Sequence, residues 1–272
     1  MGIDASVAAL VDAAEAALSA ANVSAADVRF VNGAVAGAGA ARNLAQLIGR
    51  LEQKFPNAKA LIDSDAAFAL GATGETPSVV VIAGTGSVIC GATIEETVRE
   101  GGLGVILGDP GSAYDIGRKA FVAEWRRYLD GEDSALGHSI SHEFDCDWSG
   151  LRERVFNDSR RILPQIFPLV ASAANANDQQ AQELLRSSAE ELAVLVERVV
   201  KRLRLAGERF LLAKTGGVFN RSSYFDEPFD RRVRAIASKV RIGALPTPVV
   251  EYAARVGISA LRGLDELVRE GH

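Results

Sequence analysis

Residues 79–90 read VVVIAGTGSVIC, and this stretch decides the predicted fold. The mostly β-branched run Val79–Ala83 is typical of a strand that is buried on both faces. The turn Gly84–Ser87 follows, and Val88–Cys90 begins a second apolar strand. Two glycines let a ligand approach the backbone closely, and N–H groups together with Thr and Ser hydroxyls can hold phosphate oxygens. The turn is not a Walker loop, because no Gly-Lys-Ser/Thr follows. A tight β-hairpin without a ligand is the alternative.

Strands and helices alternate on both sides of this stretch. Before it, helices are predicted at 5–21 and Asn43–Phe55, and strands at Val28–Val35 and Ala58–Ile62. After it, the predicted helices are Ser112–Leu129, Leu151–Ser172 with a break near Pro164, Asp178–Ala206, Phe225–Ser238 and Val249–Val268. Short strands are predicted at Phe210–Ala213 and Val240–Ile242. This alternation predicts an α/β protein with mostly parallel strand pairing. The Gly, Thr and Pro residues of Gly71–Pro77 mark the expected domain seam.

The composition is that of an ordinary globular protein, with 48% hydrophobic and 24% charged residues in a chain of 272. A formal net charge of −5 argues against a surface that coats a nucleic acid. No run approaches the roughly 18 uninterrupted apolar residues of a membrane span. Cys90 and Cys146 lie far apart and indicate no disulfide framework, which favours the reducing cytoplasm.

A second glycine-rich segment lies between a predicted strand and a predicted helix. It comprises GGLG at 101–104 and GDPGSA at 108–113. Such glycine density costs stability, and it suits a loop that wraps a small ligand closely. Ser112 is a candidate N-cap of the helix that follows. A flexible connection is the alternative interpretation.

Asp65 follows a predicted buried strand, where α/β sheets place their ligands. A carboxylate there can accept a hydroxyl proton or orient a metal. Asp63 is its rival, and an N-cap of a helix beginning at Ala66 is the purely structural alternative. Thr215–Phe219, TGGVF, is a strand-to-helix turn that could carry an adenine ring, and an ordinary turn is the alternative.

His138 and His142 lie four residues apart, with Asp145, Cys146 and Asp147 nearby. This spacing matches no established zinc motif, so a solvated polar turn is the favoured interpretation.

Taken in order, these motifs resemble those of the BadF/BadG/BcrA/BcrD-type ATPases, and within them the N-acetylglucosamine and glucosamine kinases. The resemblance covers nearly the whole chain. It is carried by DAA at 65–67, VIAGTGS at 81–87, GGLG at 101–104, LGDPGSAY at 107–114 and TGGVF at 215–219. Order and spacing make the set far more specific than any single motif.

The resemblance implies two ribonuclease-H-like domains of the actin-like ATPase fold that close over ATP, Mg²⁺ and a small-molecule amino sugar. The expected domains are residues 1–75 and 76–272, with a helical insertion in the second and a last helix that could pack back on the first. The implied activity is phosphorylation of a hydroxyl of N-acetylglucosamine or glucosamine in the cytoplasm. No nucleic-acid or membrane partner is expected, and a homodimer stays an open possibility.

The resemblance implies a catalytic or binding role for each residue that matches a position in the family's motifs. The resemblance assigns Asp65 to the catalytic base, Gly84, Thr85, Gly86 and Ser87 to the ATP phosphates, Gly216, Gly217 and Phe219 to adenosine, and Gly37, Gly39, Gly102, Leu103, Asp109 and Ala113 to the sugar. No side chain is assigned to the metal.

The beginning of the chain departs from the family pattern. Members open with a strand hairpin that carries an Asp-Gly-Gly-Gly-Thr-like phosphate loop, and nothing similar precedes Gly33. We therefore expect a truncated first domain, weak ATP binding and little turnover. Leu103 and Pro110 stand where the family has Trp and Glu, which leaves the sugar open. The alternatives are a non-catalytic sugar- or nucleotide-binding relative and an ATPase that activates another enzyme.

Overall fold

The computed structural model describes the backbone of residues 3–35 and 41–270 and the side chains of residues 7–35 and 45–262. The helices are α1 (Ile3–Ala21), α2 (Ala41–Lys54), α3 (Asp65–Gly71), α4 (Ala113–Asp130), α5 (Ala135–Glu143), α6 (Trp148–Asn175), α7 (Gln179–Arg202), α8 (Ser223–Ile236) and α9 (Val249–Glu270). The strands are β1 (Phe30–Val35), β2 (Lys59–Ser64), β3 (Ser78–Ala83), β4 (Ser87–Ala92), β5 (Thr97–Gly101), β6 (Phe210–Thr215) and β7 (Val240–Ala244).

The chain divides into two compact units, the first comprising residues 1–74 and 246–272 and the second residues 75–245. In the first unit β1 and β2 pair in parallel, with Phe30 opposite Lys59 and Val35 opposite Ser64. The helices α1, α2, α3 and α9 belong to this unit. Asn32 on β1 donates from Nδ2 to the Ala253 carbonyl of α9 at 2.7 Å, so the last helix packs on this strand.

The second unit is built on one mixed sheet of strand order β5-β4-β3-β6-β7. The β3–β6 and β6–β7 pairs are parallel, whereas the β3–β4 and β4–β5 pairs are antiparallel. The central strand β3 is almost wholly buried, because helices cover the sheet and β-branched side chains fill both faces. The carboxyl ends of β3 and β6 therefore lie side by side at one edge of the sheet, and each is followed by a glycine turn.

Two features of the helical part differ from the sequence-based expectation. The break in α6 lies at Asp158 (φ −148°, ψ 61°) and not near Pro164. The Asp158 carboxylate accepts the Arg161 N–H at 3.3 Å and so caps the second half of the helix, whereas Pro164 lies within its continuous part. The polar turn expected around His138 and His142 is wrong, since both residues lie in α5, whose nine residues are too few for a clear helical periodicity.

Among the residues that the structure describes, no helix has both the length and the apolar character to cross a membrane.

Candidate functional site

The turn Gly84–Ser87 joins β3 to β4 and is fixed by hydrogen bonds on several sides. Ala83 pairs with Ser87 across the hairpin, and the Gly84 N–H donates to the Gly86 carbonyl at 2.9 Å. Thr85 is exposed at the tip, so its hydroxyl and N–H can meet a ligand. The Ser87 side chain is only 2% exposed, and its hydroxyl donates to the Pro110 carbonyl at 2.8 Å. Ser87 thus anchors the turn, and the groups open to phosphate are those of residues 84–86.

The amino terminus of α4 supports the same turn. The Ala113 N–H donates to the Gly84 carbonyl at 2.8 Å, and the Tyr114 N–H donates to the Thr85 carbonyl at 3.3 Å. Ser112, buried in front of the helix, accepts the Asp115 N–H at 3.2 Å and is its N-cap, as the sequence predicts. Because the peptide dipoles of α4 add up to a partial positive charge at this end, negative charge close to the turn is stabilised.

Asp109 is buried directly beside the turn, with 4% of its surface exposed. A Cβ on Gly86 would lie 2.4 Å from the Asp109 Oδ2, so a larger residue there would displace the carboxylate. The Oδ1 atom is buried without a hydrogen-bond partner among the described residues. Burial raises the pKa of the Asp109 carboxyl, although the backbone amides of Ser87, Gly104 and Gly102 and the Arg99 guanidinium oppose the shift. Asp109 also has a positive φ of 58°, a strained conformation for a non-glycine residue.

The raised pKa gives a testable dependence of stability on pH. Because the folded-state pKa of Asp109 lies above its unfolded value near 3.8, its stabilising contribution is complete below that value and is lost as the pH rises through the folded-state pKa. Asn at this position does not titrate. We therefore expect the melting temperature of Asp109→Asn, relative to that of the unmodified protein, to increase as the pH rises from 4 to 7. Parallel melting scans check this, and a constant difference across the range would contradict it.

The segment 101–108 wraps over Asp109 and the turn. Gly101, Gly102 and Gly104 all have positive φ angles, which lets the chain turn back sharply. The Gly102 N–H donates to the Ser87 carbonyl at 3.0 Å, which attaches the segment to the phosphate turn. Leu103, at the position assigned to the sugar, is 70% exposed. Of the other residues assigned to the sugar, Gly102, Asp109 and Ala113 lie around the turn, while Gly37 and Gly39 fall outside the described residues.

The second turn of the sheet edge, residues 215–220, is here called the Gly216 turn. Gly216 has a φ of 109°, and a Cβ there would lie 2.2 Å from the Ala83 carbonyl oxygen. The Val218 N–H donates to that same carbonyl at 3.0 Å. Gly216 and Gly217 are exposed, and the structure therefore brings their backbone next to the start of the phosphate turn.

Phe219 belongs to the core and not to the surface of the Gly216 turn. Its side chain is 5% exposed, and its ring packs edge-on against Phe225 at 5.9 Å and Phe229 at 5.5 Å between ring centroids. The ring is therefore not placed to carry an adenine, which corrects the role that the sequence suggested. Val218 and Phe219 are both buried after the exposed Gly216 and Gly217.

Asp65 is the first residue of α3, directly after β2. The N-cap is Ser64, whose side chain accepts the Ala67 N–H at 3.1 Å. Asp65 is half-buried, and its Oδ1 accepts the Ala66 N–H at 2.9 Å. Its rival Asp63 is exposed and accepts the Ser64 N–H at 2.6 Å. Ser64, and not Asp65, is therefore the N-cap of α3. The Asp65 carboxylate keeps the capacity to accept a hydrogen bond from a ligand.

Sequence reasoning missed the charged cluster beneath the Gly216 turn. Lys214 lies on β6 with its side chain 12% exposed, and its Nζ is 2.8 Å from Asp230 Oδ1 and 3.9 Å from Asp226 Oδ1. A lysine inside the apolar strand FLLAKT was the available signal, because buried lysines are almost always paired. For metals, no group of three His, Cys, Asp or Glu side chains comes together within the described part of the chain.

Two curated proteins are similar to this chain in sequence. A curated N-acetylmuramic acid/N-acetylglucosamine kinase of Clostridium acetobutylicum is 32% identical over 197 residues, which is 68% of this chain and 62% of that protein. An N-acetyl-D-glucosamine kinase of Dictyostelium discoideum is 29% identical over 185 residues, 63% of this chain and 57% of that protein. The chain thus spans less than two thirds of the length of either curated relative.

A solved structure shows the fold. The crystal structure of a proposed N-acetylglucosamine kinase from Chromobacterium violaceum superposes with a TM-score of 0.73 at 23% identity, covering 93% of this chain and 84% of that one. The mixed α/β fold is therefore that of sugar kinases of the actin-like ATPase type. The family model that describes the BadF/BadG/BcrA/BcrD ATPases matches residues 1–250. The order of the glycine turns, the fold and this match agree, and the chain belongs to the BadF/BadG/BcrA/BcrD ATPase family.

Proposed function

We propose that the protein is an ATP-dependent kinase that phosphorylates a hydroxyl group of an amino sugar, N-acetylglucosamine or glucosamine. The observation that carries the proposal is the pair of glycine turns at neighbouring carboxyl ends of β3 and β6. Both have exposed backbone, and Gly216 contacts Ala83 at the start of the first turn. The kinase names of the two curated relatives support the choice of substrate class.

The nucleotide is assigned to the second unit. We propose that the amides of residues 84–86 hold the phosphates and that Gly216 and Gly217 contact the adenosine, since both glycines are exposed and Phe219 is not. The close approach of Gly216 to the Ala83 backbone leaves no room for a Cβ, and it keeps the backbone of the two turns next to each other. ATP thus fits the described residues through backbone groups.

Mg²⁺ is proposed as the companion of the triphosphate. No three-carboxylate group lies within the described residues, so we expect the ion to be held mainly by phosphate oxygens and water, as hard divalent cations commonly are in kinases. Bound there, it would neutralise charge on the phosphoryl group being transferred.

Asp65 is proposed as the general base. A sugar hydroxyl is a weak nucleophile, so a carboxylate must orient it and accept its proton as the new P–O bond forms. Ser64 holds the helix cap, and the cap leaves the second oxygen of Asp65 available for this proton. Asp109, with one buried oxygen lacking a partner among the described residues, is proposed to contact the sugar after the 101–108 segment moves. We also propose that the two units are the two ribonuclease-H-like domains.

We also propose a cellular location and a class of binding partner for the protein. Cys90 and Cys146 lie far apart in the sequence and indicate no disulfide framework, which supports a reducing, cytoplasmic location. The net charge of −5 supports small-molecule substrates over nucleic acid as the partner, and a homodimer remains part of the proposal.

An assay of ADP release with a panel of sugars tests the proposal. The full-length protein, supplied with ATP and Mg²⁺, is expected to release ADP with N-acetylglucosamine or glucosamine and much less with glucose. Release of ADP that no sugar stimulates would favour an ATPase that activates another enzyme. Binding of ATP or sugar in calorimetry without any ADP would favour a non-catalytic relative.

A further inference from the structure

We propose that Lys214, Asp226 and Asp230 are positioning residues that hold the Gly216 turn in the shape that binds nucleotide. The inference rests on the proposed function, since it assigns a task to residues behind the proposed adenosine contact. None of the three side chains needs to touch the nucleotide.

Asp226 lies on α8, and its Oδ2 accepts the N–H of Asn220 at 2.9 Å. Asn220 ends the Gly216 turn with a φ of 62°, a left-handed conformation that asparagine tolerates better than most residues. The carboxylate therefore fixes the backbone of the turn at its exit, while the contact of Gly216 with Ala83 fixes its entry.

Lys214 joins the Gly216 turn to helix α8. Its Nζ lies between Asp230 at 2.8 Å and Asp226 at 3.9 Å, and it stands 5.4 Å from the centroid of the Phe219 ring. Lys214 immediately precedes Thr215, the first residue of the turn. The ammonium group thus ties the end of β6 to two successive helical turns of α8, because residues 226 and 230 lie on the same face.

If the cluster of Lys214, Asp226 and Asp230 served only to hold α8 on the sheet, it would be an unfavourable way to do so. Asp226 Oδ1 is buried and accepts no hydrogen bond from any described residue. Two carboxylates share one ammonium, which leaves a surplus negative charge. Burial raises the pKa of Asp226, with Asp230 acting in the same direction and Lys214 and the Asn220 amide opposing it. An apolar contact would hold α8 on the sheet without this cost, whereas it could not bond the Asn220 N–H.

Kinetics of three variants test the inference. Asp226→Ala removes the acceptor of the Asn220 N–H, and we expect the KM for ATP to rise about tenfold, the effect of losing roughly one hydrogen bond to a charged group. The KM for the sugar and kcat should stay within about twofold. Asp226→Asn keeps an oxygen for Asn220 and should restore most of the ATP affinity. Lys214→Gln gives a second approach should the alanine variant fail to fold, and it should also raise the KM for ATP.

Asp147→Ala is the matched control. Asp147 is the N-cap of α6 and accepts the N–H of Gly150 at 2.8 Å, and it has no contact with the Gly216 turn among the described residues. It should lower the melting temperature while leaving the KM for ATP unchanged, which separates positioning from general destabilisation.

The outcomes of the experiment are distinct. Unchanged ATP affinity in both Asp226→Ala and Lys214→Gln would overturn the inference, and so would equal increases in the KM values for ATP and sugar. If the unmodified protein transfers no phosphoryl group, the proposed kinase function is refuted, and calorimetric Kd values for ATP still test the positioning role. If the protein is active and both substitutions leave its ATP affinity unchanged, the positioning role alone is refuted.

Discussion

Asp65→Asn should reduce phosphoryl transfer by about 10²–10⁴-fold while ATP binding stays close to that of the unmodified protein. The amide cannot accept the proton of the sugar hydroxyl, so the nucleophile is no longer activated. The fold should tolerate the change, because Ser64 remains the N-cap of α3 and an Asn oxygen can still accept the Ala66 N–H. The expected loss of stability is below about 1 kcal/mol, the contribution of one charge at a helix N-terminus.

Steady-state kinetics with calorimetry of ATP binding measures this effect. Asp63→Asn is the matched control, since Asp63 lies two residues away, is exposed and also accepts a neighbouring N–H. It should keep its turnover within about twofold. If Asp65→Asn retained normal turnover while Asp109→Asn lost it, the roles of the two carboxylates would have to be exchanged.

Gly216→Ala should abolish nucleotide binding and destabilise the second unit. A Cβ would stand 2.2 Å from the Ala83 oxygen and 2.5 Å from its carbonyl carbon, and both atoms belong to the backbone of a central strand. The φ of 109° adds strain for any residue with a side chain. The turn must move, which breaks the bond from the Val218 N–H and carries the adenosine contact away from the phosphate turn. Such overpacking costs about 1–3 kcal/mol before backbone strain is added.

Gly217→Ala provides the comparison for stability. A Cβ on Gly217 would meet nothing within 4 Å among the described atoms, so its melting temperature without nucleotide should stay close to that of the unmodified protein. Gly216→Ala should melt several degrees lower and show little further stabilisation by ATP. Equal melting temperatures for the two variants would mean that the close approach at Ala83 is not required.

The sequence was sufficient for the fold class and the family because both depend on local patterns. The buried run Val79–Ala83, the glycines that follow it and the alternation of strands and helices predict an α/β sheet with turns at its edge, and this is confirmed. Glycine positions are informative because a close backbone approach combined with a positive φ strongly disfavours other residues, as at Gly216.

Several features of the fold and of the candidate site could not be predicted, because they depend on contacts between residues that are distant in the sequence. Phe219 follows two glycines, and only the packing of α8 shows that its ring turns inward. Ser64 and Asp65 are both good cap residues, so only the three-dimensional hydrogen bonds decide between them. Pro164 looked like the break in α6, whereas the chain bends at Asp158, whose φ of −148° and ψ of 61° lie outside the helical region. Asp226 lies in a charged stretch of sequence, and only the structure shows that it is half-buried close to Lys214 of β6.

The central claim is that ATP supplies a phosphoryl group to an amino sugar, and phosphorus NMR of the reaction mixture tests it most directly. With ATP, Mg²⁺ and N-acetylglucosamine or glucosamine, the full-length protein should convert the γ-phosphate signal of ATP into a sugar phosphate monoester, with one ADP for each ester formed. Conversion to inorganic phosphate at the same rate with and without sugar, or an unchanged ATP spectrum while ATP remains bound, would contradict the claim.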